Sequence, residues 1–174
     1  LSSHADVRAE EVTQEGGRMR FMLCLPDQTR TPIELNMPGH HNVLNPLAAA
    51  TVAWELGVPL PAIQKALAAF GGVGRRFNSL GMHRTTKGAT VEVVDDYGHH
   101  PKELEAVFKA ARGGWPDRRL VVAFQPHRYT RTKDLFYQFV DILSTADRVG
   151  AHVPVRSGAR PVAVAVSRVS SPPL

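Results

Sequence analysis

The chain has 174 residues, of which 43% are hydrophobic, which is enough for one ordinary domain or two small ones with a real core. The lone Cys24 excludes an internal disulfide, which fits a reducing compartment. No run is long and apolar enough to span a bilayer, and the first ten residues lack the apolar stretch of a signal peptide. We therefore expect a cytoplasmic protein with no membrane partner.

The net charge of +5 comes mostly from the end of the chain. Four arginines and no acid follow Asp147, so residues 1–147 carry only +1 (5 − 4). The sequence has no basic stripe interleaved with aromatic residues and no nucleic-acid-binding motif. We therefore expect no nucleic-acid partner.

The first part of the chain predicts three strands. Apolar residues alternate in residues 6–13 and 18–25, on either side of Gly16 and Gly17, which is typical of a β-hairpin. Residues 31–36 form a third extended piece.

Two helices are predicted after these strands. Asn42 opens an apolar helical run that ends at Gly57, and Pro46 lies within or just past its first turn. A second helix spans roughly residues 61–70.

The stretch G-G-V-G-R-R-F follows the second helix rather than a strand, so it is not a dinucleotide-binding fingerprint. We interpret it as an interdomain connection that presents Arg75 and Arg76. From residue 90 the pattern becomes strand, helix, strand, helix, which predicts adjacent parallel strands with right-handed crossovers. The segments are T-V-E-V-V, P-K-E-L-E-A-V-F-K-A-A-R, R-L-V-V-A-F and T-K-D-L-F-Y-Q-F-V-D-I-L.

Two polar loops follow the two predicted strands. They are D-D-Y-G-H-H-P, from Asp95 to Pro101, and Q-P-H-R-Y-T-R, from Gln125 to Arg131. Loops at the carboxyl ends of parallel strands bind ligands in open α/β sheets. The composition of the loops suits an anionic nucleotide, phosphate or carboxylate.

Several roles are open for the residues of these loops. The two acids could accept hydrogen bonds from a ribose, bind a metal or cap a helix. The histidines suit hydrogen bonds to a carboxylate or phosphate better than a zinc site, because no cysteine cluster accompanies them. Arginine suits bidentate recognition of the same anions, against a solvated loop or a surface ion pair. The residues concerned are Asp95, Asp96, His99, His100, His127, Arg128 and Arg131.

A third polar motif, P-G-H-H-N-V-L-N, lies at the start of the first predicted helix. Asn42 there is a good N-cap, which is a structural alternative to binding. His40, His41 and Asn45 have no obvious structural need at this place.

These motifs, together with G-V-G-R-R-F, resemble those of the Mur ligases of peptidoglycan synthesis, from about Ala5 to Asp147. The resemblance implies an α/β fold in which residues 1–76 are the C-terminal half of the central ATP-binding domain, with a β-hairpin plus helices. Residues 77–147 would be a partial Rossmann-like, parallel α/β ligase domain. Residues 148–174 would be a divergent tail, frameshifted or disordered.

The resemblance also implies roles for individual residues. The ATP-binding set would be His41, Asn42, Asn45, Arg76 and Asp96. The substrate-binding set would be Tyr97, His99, His127, Arg128 and Arg131, of which His99, Arg128 and Arg131 would be catalytic.

The implied reaction uses ATP and Mg²⁺ to convert the carboxylate of UDP-N-acetylmuramate into an acyl phosphate, which the amine of L-alanine attacks. The P-loop motif G-x-x-x-x-G-K-[ST] and the magnesium ligands are absent from this sequence. We therefore expect the chain to be inactive alone, with exposed apolar surface that favours self-association. The alternatives are a non-catalytic nucleotide- or amino-acid-binding fragment, an enzyme completed by a separate chain, and another Mur-type ligase such as the tripeptide-recycling ligase.

Overall fold

The computed structural model describes residues 5–86, 88–126 and 128–151, and the backbone of residues 163–167. The chain divides into two compact units, Leu1–Gly72 and Val73–Leu174. The domain boundary at residue 76 stays a prediction.

The first unit begins with a three-stranded antiparallel sheet in the order β1-β2-β3. The hairpin turn lies at Gly16 and Gly17, where Glu15 pairs with Arg18, and Gly16 has a φ of +53°, which favours glycine. The alternation predicted from the sequence buries one face of the sheet. Its strands are β1 (Arg8–Glu15), β2 (Arg18–Cys24) and β3 (Arg30–Leu35).

Two helices, α1 (His41–Glu55) and α2 (Leu60–Ala69), complete the first unit. Their apolar side chains pack on the buried face of the sheet because the spacing of these residues puts them on one side of each helix. Pro46 lies inside α1, and the helix continues through it. The core of the unit contains Met19, Phe21, Leu23, Ile33, Leu35, Val43, Leu47 and Ile63.

The second unit is built on a five-stranded sheet in the order β4-β5-β8-β6-β7. β8 is antiparallel to both β5 and β6, whereas β6 and β7 are parallel. β5 and β6 therefore run in the same direction, and their carboxyl ends lie at the same edge of the sheet. The strands are β4 (Asn78–Arg84), β5 (Thr90–Asp95), β6 (Arg119–Phe124), β7 (Arg148–Ala151) and β8 (Ala163–Ser167).

The helices of the second unit are α3 (Pro101–Gly114), α4 (Tyr129–Asp134) and α5 (Phe136–Leu143). α3 buries Leu104, Val107 and Phe108 in a core that also contains Val94, Leu120, Val122, Phe124 and Phe139.

The predicted α/β class is confirmed, but the expectation that the two apolar strands are adjacent is wrong. β8 lies between β5 and β6, with Ala163 paired to Asp95 on one side and to Ala123 on the other. The sheet is therefore mixed rather than wholly parallel. Strand order depends on long-range pairing, which the pattern of a single strand does not encode.

One further expectation is wrong. The helix predicted from Thr132 to Leu143 is two helices, because the backbone leaves the helical region at Leu135 (φ −111°, ψ 21°). In the tail, residues 148–151 and 163–167 form strands of the sheet. Residues 152–162 and 168–174 lie outside the described residues.

Candidate functional site

The carboxyl end of β5 is tied to the segment that precedes β4 through Asp96. This side chain is 3% exposed, and its oxygens accept hydrogen bonds from Phe77 N (2.8 Å) and Gly98 N (2.6 Å). Burial raises the pKa of Asp96, and the two N–H donors and the charge of Arg76 offset only part of that rise. These contacts give Asp96 a structural role, and its predicted contact with a ribose stays a prediction.

Gly98 is needed beside this carboxylate for a steric reason. A Cβ at this position would lie 3.0 Å from Asp96 Oδ1 and 3.3 Å from Leu104 Cδ2. The close approach brings the backbone N–H of Gly98 onto the carboxylate. The loop after β5 is therefore stabilised by its own hydrogen bonds and does not need a ligand to be ordered.

Arg75 packs against the same loop. Its guanidinium carbon lies 5.0 Å from the centre of the Tyr97 ring, and its Nε lies 3.6 Å from Asp95 Oδ2. Its carbonyl accepts a hydrogen bond from Tyr97 N at 2.7 Å. The predicted substrate-binding residue Tyr97 is thus fixed by a cation–π contact and a backbone hydrogen bond.

The two histidines of the loop have different surroundings. His100 is the N-cap of α3 and forms a capping box with Glu103, while its Nδ1 accepts from Lys102 N at 3.2 Å. The ring of His99 packs edge-on against Tyr97, with centroids 5.0 Å apart. Its Nδ1 is 3.0 Å from the Tyr97 carbonyl oxygen and 3.4 Å from Glu103 Oε2.

The loop after β6 presents two arginines. Arg128 is exposed and is the N-cap residue of α4. Arg131 lies within α4, not in a loop as the sequence suggested, and its Nη1 is buried without a hydrogen-bond partner among the described residues. The one other such nitrogen in the described chain is Arg118 Nη1, which lies 3.7 Å from Glu92 Oε2.

An unpaired buried N–H costs about 1–3 kcal/mol, so the Arg131 guanidinium fits an anionic ligand. The two loops are two strand spacings apart, because Asp95 and Ala123 lie on either side of Ala163. That corresponds to roughly 10 Å between the two chain positions. The predicted residue His127 lies outside the described residues.

The remaining predicted ATP-binding residues belong to the first unit. His41 and Asn45 are exposed, and their spacing of four residues places them on one face of α1. Asn42 is buried, and its Nδ2 donates to the Pro38 carbonyl at 2.6 Å. It is not the N-cap that the sequence suggested, because the helix starts one residue earlier, with His40 as its cap.

Among the described residues, no group of three or more His, Cys, Asp or Glu side chains could hold a metal ion. Mg²⁺ stays an expectation from the family. No helix of the described chain has the length and hydropathy that a membrane crossing requires.

A family model described as "Mur ligase, glutamate ligase domain" matches residues 75–167, more than half of the chain. The chain belongs to the Mur ligase family. The matched range contains both polar loops and all of the sheet of the second unit. The predicted family is therefore confirmed.

Curated relatives of this Mur ligase chain are named UDP-N-acetylmuramate–L-alanine ligase. One of them, from Xanthomonas euvesicatoria, is 60% identical over 168 residues, which cover 97% of this chain and 35% of the relative. The chain thus spans about a third of the length of the curated relatives that it matches. A match of 168 residues also reaches beyond Asp147, so the resemblance extends further than expected. A frameshift in the tail stays a prediction.

Solved structures share the fold. A UDP-N-acetylmuramate-alanine ligase from Thermotoga maritima superposes with a TM-score of 0.69 and 24% identity, covering 92% of this chain and 41% of that one. A UDP-N-acetylmuramoylalanyl-D-glutamyl-2,6-diaminopimelate–D-alanyl-D-alanyl ligase from Acinetobacter baumannii also has a TM-score of 0.69 and 24% identity, covering 86% of this chain and 32% of that one. The fold is thus shared by ligases named for different substrates.

Sequence reasoning missed Glu103 and the backbone donors that hold Asp96. The only signal for Glu103 is its place three residues after His100, and it is a partial one, because the capping-box pattern normally begins with Ser, Thr, Asp or Asn rather than His. No signal in the sequence connects Asp96 to Phe77, because the two are 19 residues apart.

Proposed function

We propose that this chain supplies the amino-acid-binding part of a ligase that joins L-alanine to UDP-N-acetylmuramate with ATP, through an acyl phosphate. The observation that carries the proposal is Arg131 Nη1, which is buried and has no hydrogen-bond partner among the described residues. The 60% identity to alanine-adding ligases supports the choice of substrates. The chain alone is inactive, since it spans 35% of such a relative and has no P-loop motif.

The described residues have separate tasks in this proposal. Arg128 and Arg131 bind the carboxylate of the incoming amino acid or the acyl phosphate, and they stabilise the negative charge that develops when the amine attacks. Tyr97 and His99 line the side of the proposed amino-acid-binding site that is nearest to β5. Bond formation between the amine nitrogen and the acyl carbon expels phosphate, and the nitrogen loses a proton.

The first test is a chimera in which this chain replaces the matched third of the Xanthomonas euvesicatoria ligase. With ATP, Mg²⁺ and UDP-N-acetylmuramate, we expect phosphate release that depends on L-alanine. A folded chimera without activity, beside an active parent enzyme, contradicts the proposal. Turnover with a tripeptide in place of L-alanine favours a tripeptide-recycling ligase instead.

Arg131→Lys in the chimera tests the observation that carries the proposal. Lysine keeps the charge but not the forked geometry, so we expect at least a roughly tenfold loss of kcat/KM for L-alanine. The matched control is Arg119→Lys, an exposed residue at the opposite end of β6, which should stay near wild type. Equal effects of the two substitutions argue against a binding role for Arg131.

Experiments on the isolated chain distinguish an inactive ligase fragment from a non-catalytic binding fragment and from an enzyme made of two chains. Alanine-dependent formation of ADP by the chain alone contradicts its inactivity. Heat on titration with ATP, without turnover, favours the non-catalytic binding fragment. Co-purification of a partner that carries a P-loop, with activity restored by that partner, favours the enzyme made of two chains.

A further inference from the structure

Glu103, in the first turn of α3, contacts more groups than helix capping requires. Its Oε2 accepts hydrogen bonds from His99 N (2.9 Å) and His100 N (3.2 Å). The same oxygen lies 3.4 Å from His99 Nδ1, and Oε1 lies 3.6 Å from Arg76 Nη1. One carboxylate therefore joins an imidazole, a guanidinium and the start of a helix.

The capping box accounts for only part of this arrangement. A capping box needs a hydrogen bond from the N-cap backbone to the side chain of the third helical residue, which is the bond from His100 N. It needs neither the His99 ring nor Arg76. Those two contacts involve residues for which a ligand-binding role is proposed on other grounds.

The contacts of His99 determine its tautomer. Nδ1 faces two acceptors, the Tyr97 carbonyl at 3.0 Å and the Glu103 carboxylate at 3.4 Å. An acceptor oxygen can only be matched by an N–H donor, so Nδ1 carries the proton. In the neutral ring Nε2 is then the basic nitrogen.

The charge of Glu103 supports this geometry. Burial would raise the pKa of this carboxyl, but the N–H of His99 and the charges of His99 and Arg76 outweigh that effect and lower it. Glu103 is therefore ionised near neutral pH. Glu103 is the charged side chain next to the ring, and it lies in turn beside Arg76 and Asp96, while Arg75 stacks on Tyr97.

We propose that Glu103 is a positioning residue, which holds His99 as the Nδ1–H tautomer with Nε2 basic and links that ring to Arg76. The role in catalysis rests on the proposed function. When the amine of the incoming amino acid attacks the acyl carbon, the new C–N bond forms and phosphate leaves with its bonding electron pair. The proton that the amine nitrogen loses passes to His99 Nε2.

The test is ¹⁵N NMR of the histidine rings in this chain, which requires no ligase activity. The chain has eight histidines, and the His99 signals are assigned by their loss in His99→Gln. At a pH where the His99 ring is neutral, we expect the signal of a protonated, pyrrole-type Nδ1 and of an unprotonated, pyridine-type Nε2. In Glu103→Gln the oxygen that faces Nδ1 carries no charge and accepts more weakly, so the ratio of the two tautomers should move toward Nε2–H by roughly fivefold.

Glu105→Gln is the matched control, because Glu105 lies on the same helix and pairs only with the exposed Lys102 and Lys109 among the described residues. It should leave the His99 signals unchanged. Gln at position 103 keeps an oxygen for the backbone N–H groups, so circular dichroism should show a folded helix in both variants.

Three results overturn the proposal. An Nε2–H tautomer in the wild-type chain contradicts it directly and needs no variant to fold. An unchanged tautomer ratio in Glu103→Gln means that the Tyr97 carbonyl alone determines which nitrogen of His99 carries the proton. An equal change in Glu105→Gln means that the effect is one of general charge. An inactive chimera, by contrast, bears on the proposed function and not on the tautomer.

Discussion

At the scale of single residues, Asp96 shows how a buried acid can serve the loop that carries the site. Its carboxylate accepts from two backbone N–H groups, 2.8 and 2.6 Å away, on either side of the β5 end. In the sequence this residue is one of a pair of acids at a strand end, compatible with a ribose contact, a metal ligand or a helix cap. The backbone partners were not predictable, because they depend on how residues before β4 fold against β5.

Asp96→Asn should destabilise the second unit by about 1–3 kcal/mol, since a single amide oxygen cannot replace two carboxylate oxygens. It should also change the dependence of stability on pH. The pKa of Asp96 is raised above its ordinary value of 3.8, so the folded chain keeps this proton to a higher pH than the unfolded chain. Its favourable contribution is therefore complete below pH 3.8 and is lost as the pH rises through the folded-state pKa.

The measurement is the unfolding free energy of the second unit at a series of pH values above 3.8. Trp115 fluorescence reports on that unit when Trp54 is replaced by Phe, because the chain has only these two tryptophans. The free-energy difference between wild type and Asp96→Asn should shrink as the pH rises. Asp134→Asn, on exposed α4, is the control and should show no such trend. A difference that grows with pH contradicts the assigned direction.

At the scale of elements, the sequence predicted the periodic segments well and the irregular ones poorly. Both strands of the hairpin, α1, α2 and α3 lie close to where alternation or helical spacing placed them. β4 was not predicted, because all seven of its residues are exposed and leave no alternation of buried and exposed positions. The break at Leu135 was not predicted, because one long helix and two consecutive helices show the same spacing of apolar residues in the sequence.

Pro46 lies inside α1 and has no backbone N–H, so one hydrogen bond between successive turns of the helix is missing. Proline inside a helix costs about 3 kcal/mol relative to alanine, and loss of its buried methylenes offsets about half of that cost. Pro46→Ala should therefore stabilise the first unit by about 1.5 kcal/mol and raise its Tm by roughly 6–12 °C.

Trp54 fluorescence in a Trp115→Phe background follows the melting of that unit. The matched control is Pro61→Ala in the first turn of α2, where the missing N–H has no helical partner in any case. It should give no gain in Tm. A lower Tm for Pro46→Ala means that the packing of the proline ring outweighs the missing hydrogen bond.

For the whole molecule, the motifs predicted the family, and the comparisons show how much of the chain matches its relatives. The order of the strands and the reach of the resemblance beyond Asp147 were not predicted, since both depend on contacts or relatives that a single sequence does not contain. The expectation of exposed apolar surface can be stated more sharply. The side chains of Leu44, Val52 and Leu56 are 54%, 60% and 78% exposed, and with Ala48 they form an apolar stripe at intervals of four residues along α1 and its C-cap, Leu56.

We expect this stripe to cause self-association of the isolated chain. Burying a leucine or valine side chain stabilises a contact by about 1.5–3 kcal/mol, and a stripe on a helix presents several such side chains together. Val52→Lys with Leu56→Lys should raise the dissociation constant at least about tenfold in sedimentation velocity. Lysines near the carboxyl end of α1 also favour the helix dipole, so the helix should stay folded.

The matched control is Leu80→Lys with Met82→Lys, on the exposed strand β4, where the side chains are 53% and 52% exposed. This pair adds the same charge to similarly exposed apolar residues but leaves the stripe intact. It should change the dissociation constant little. Equal weakening by the two pairs indicates general charge repulsion, and a wild-type chain that stays monomeric at every concentration contradicts association through the stripe. The relatives of this chain are about three times as long. If the chimera does not self-associate, we infer that the stripe is covered by the part of the ligase that this chain does not match.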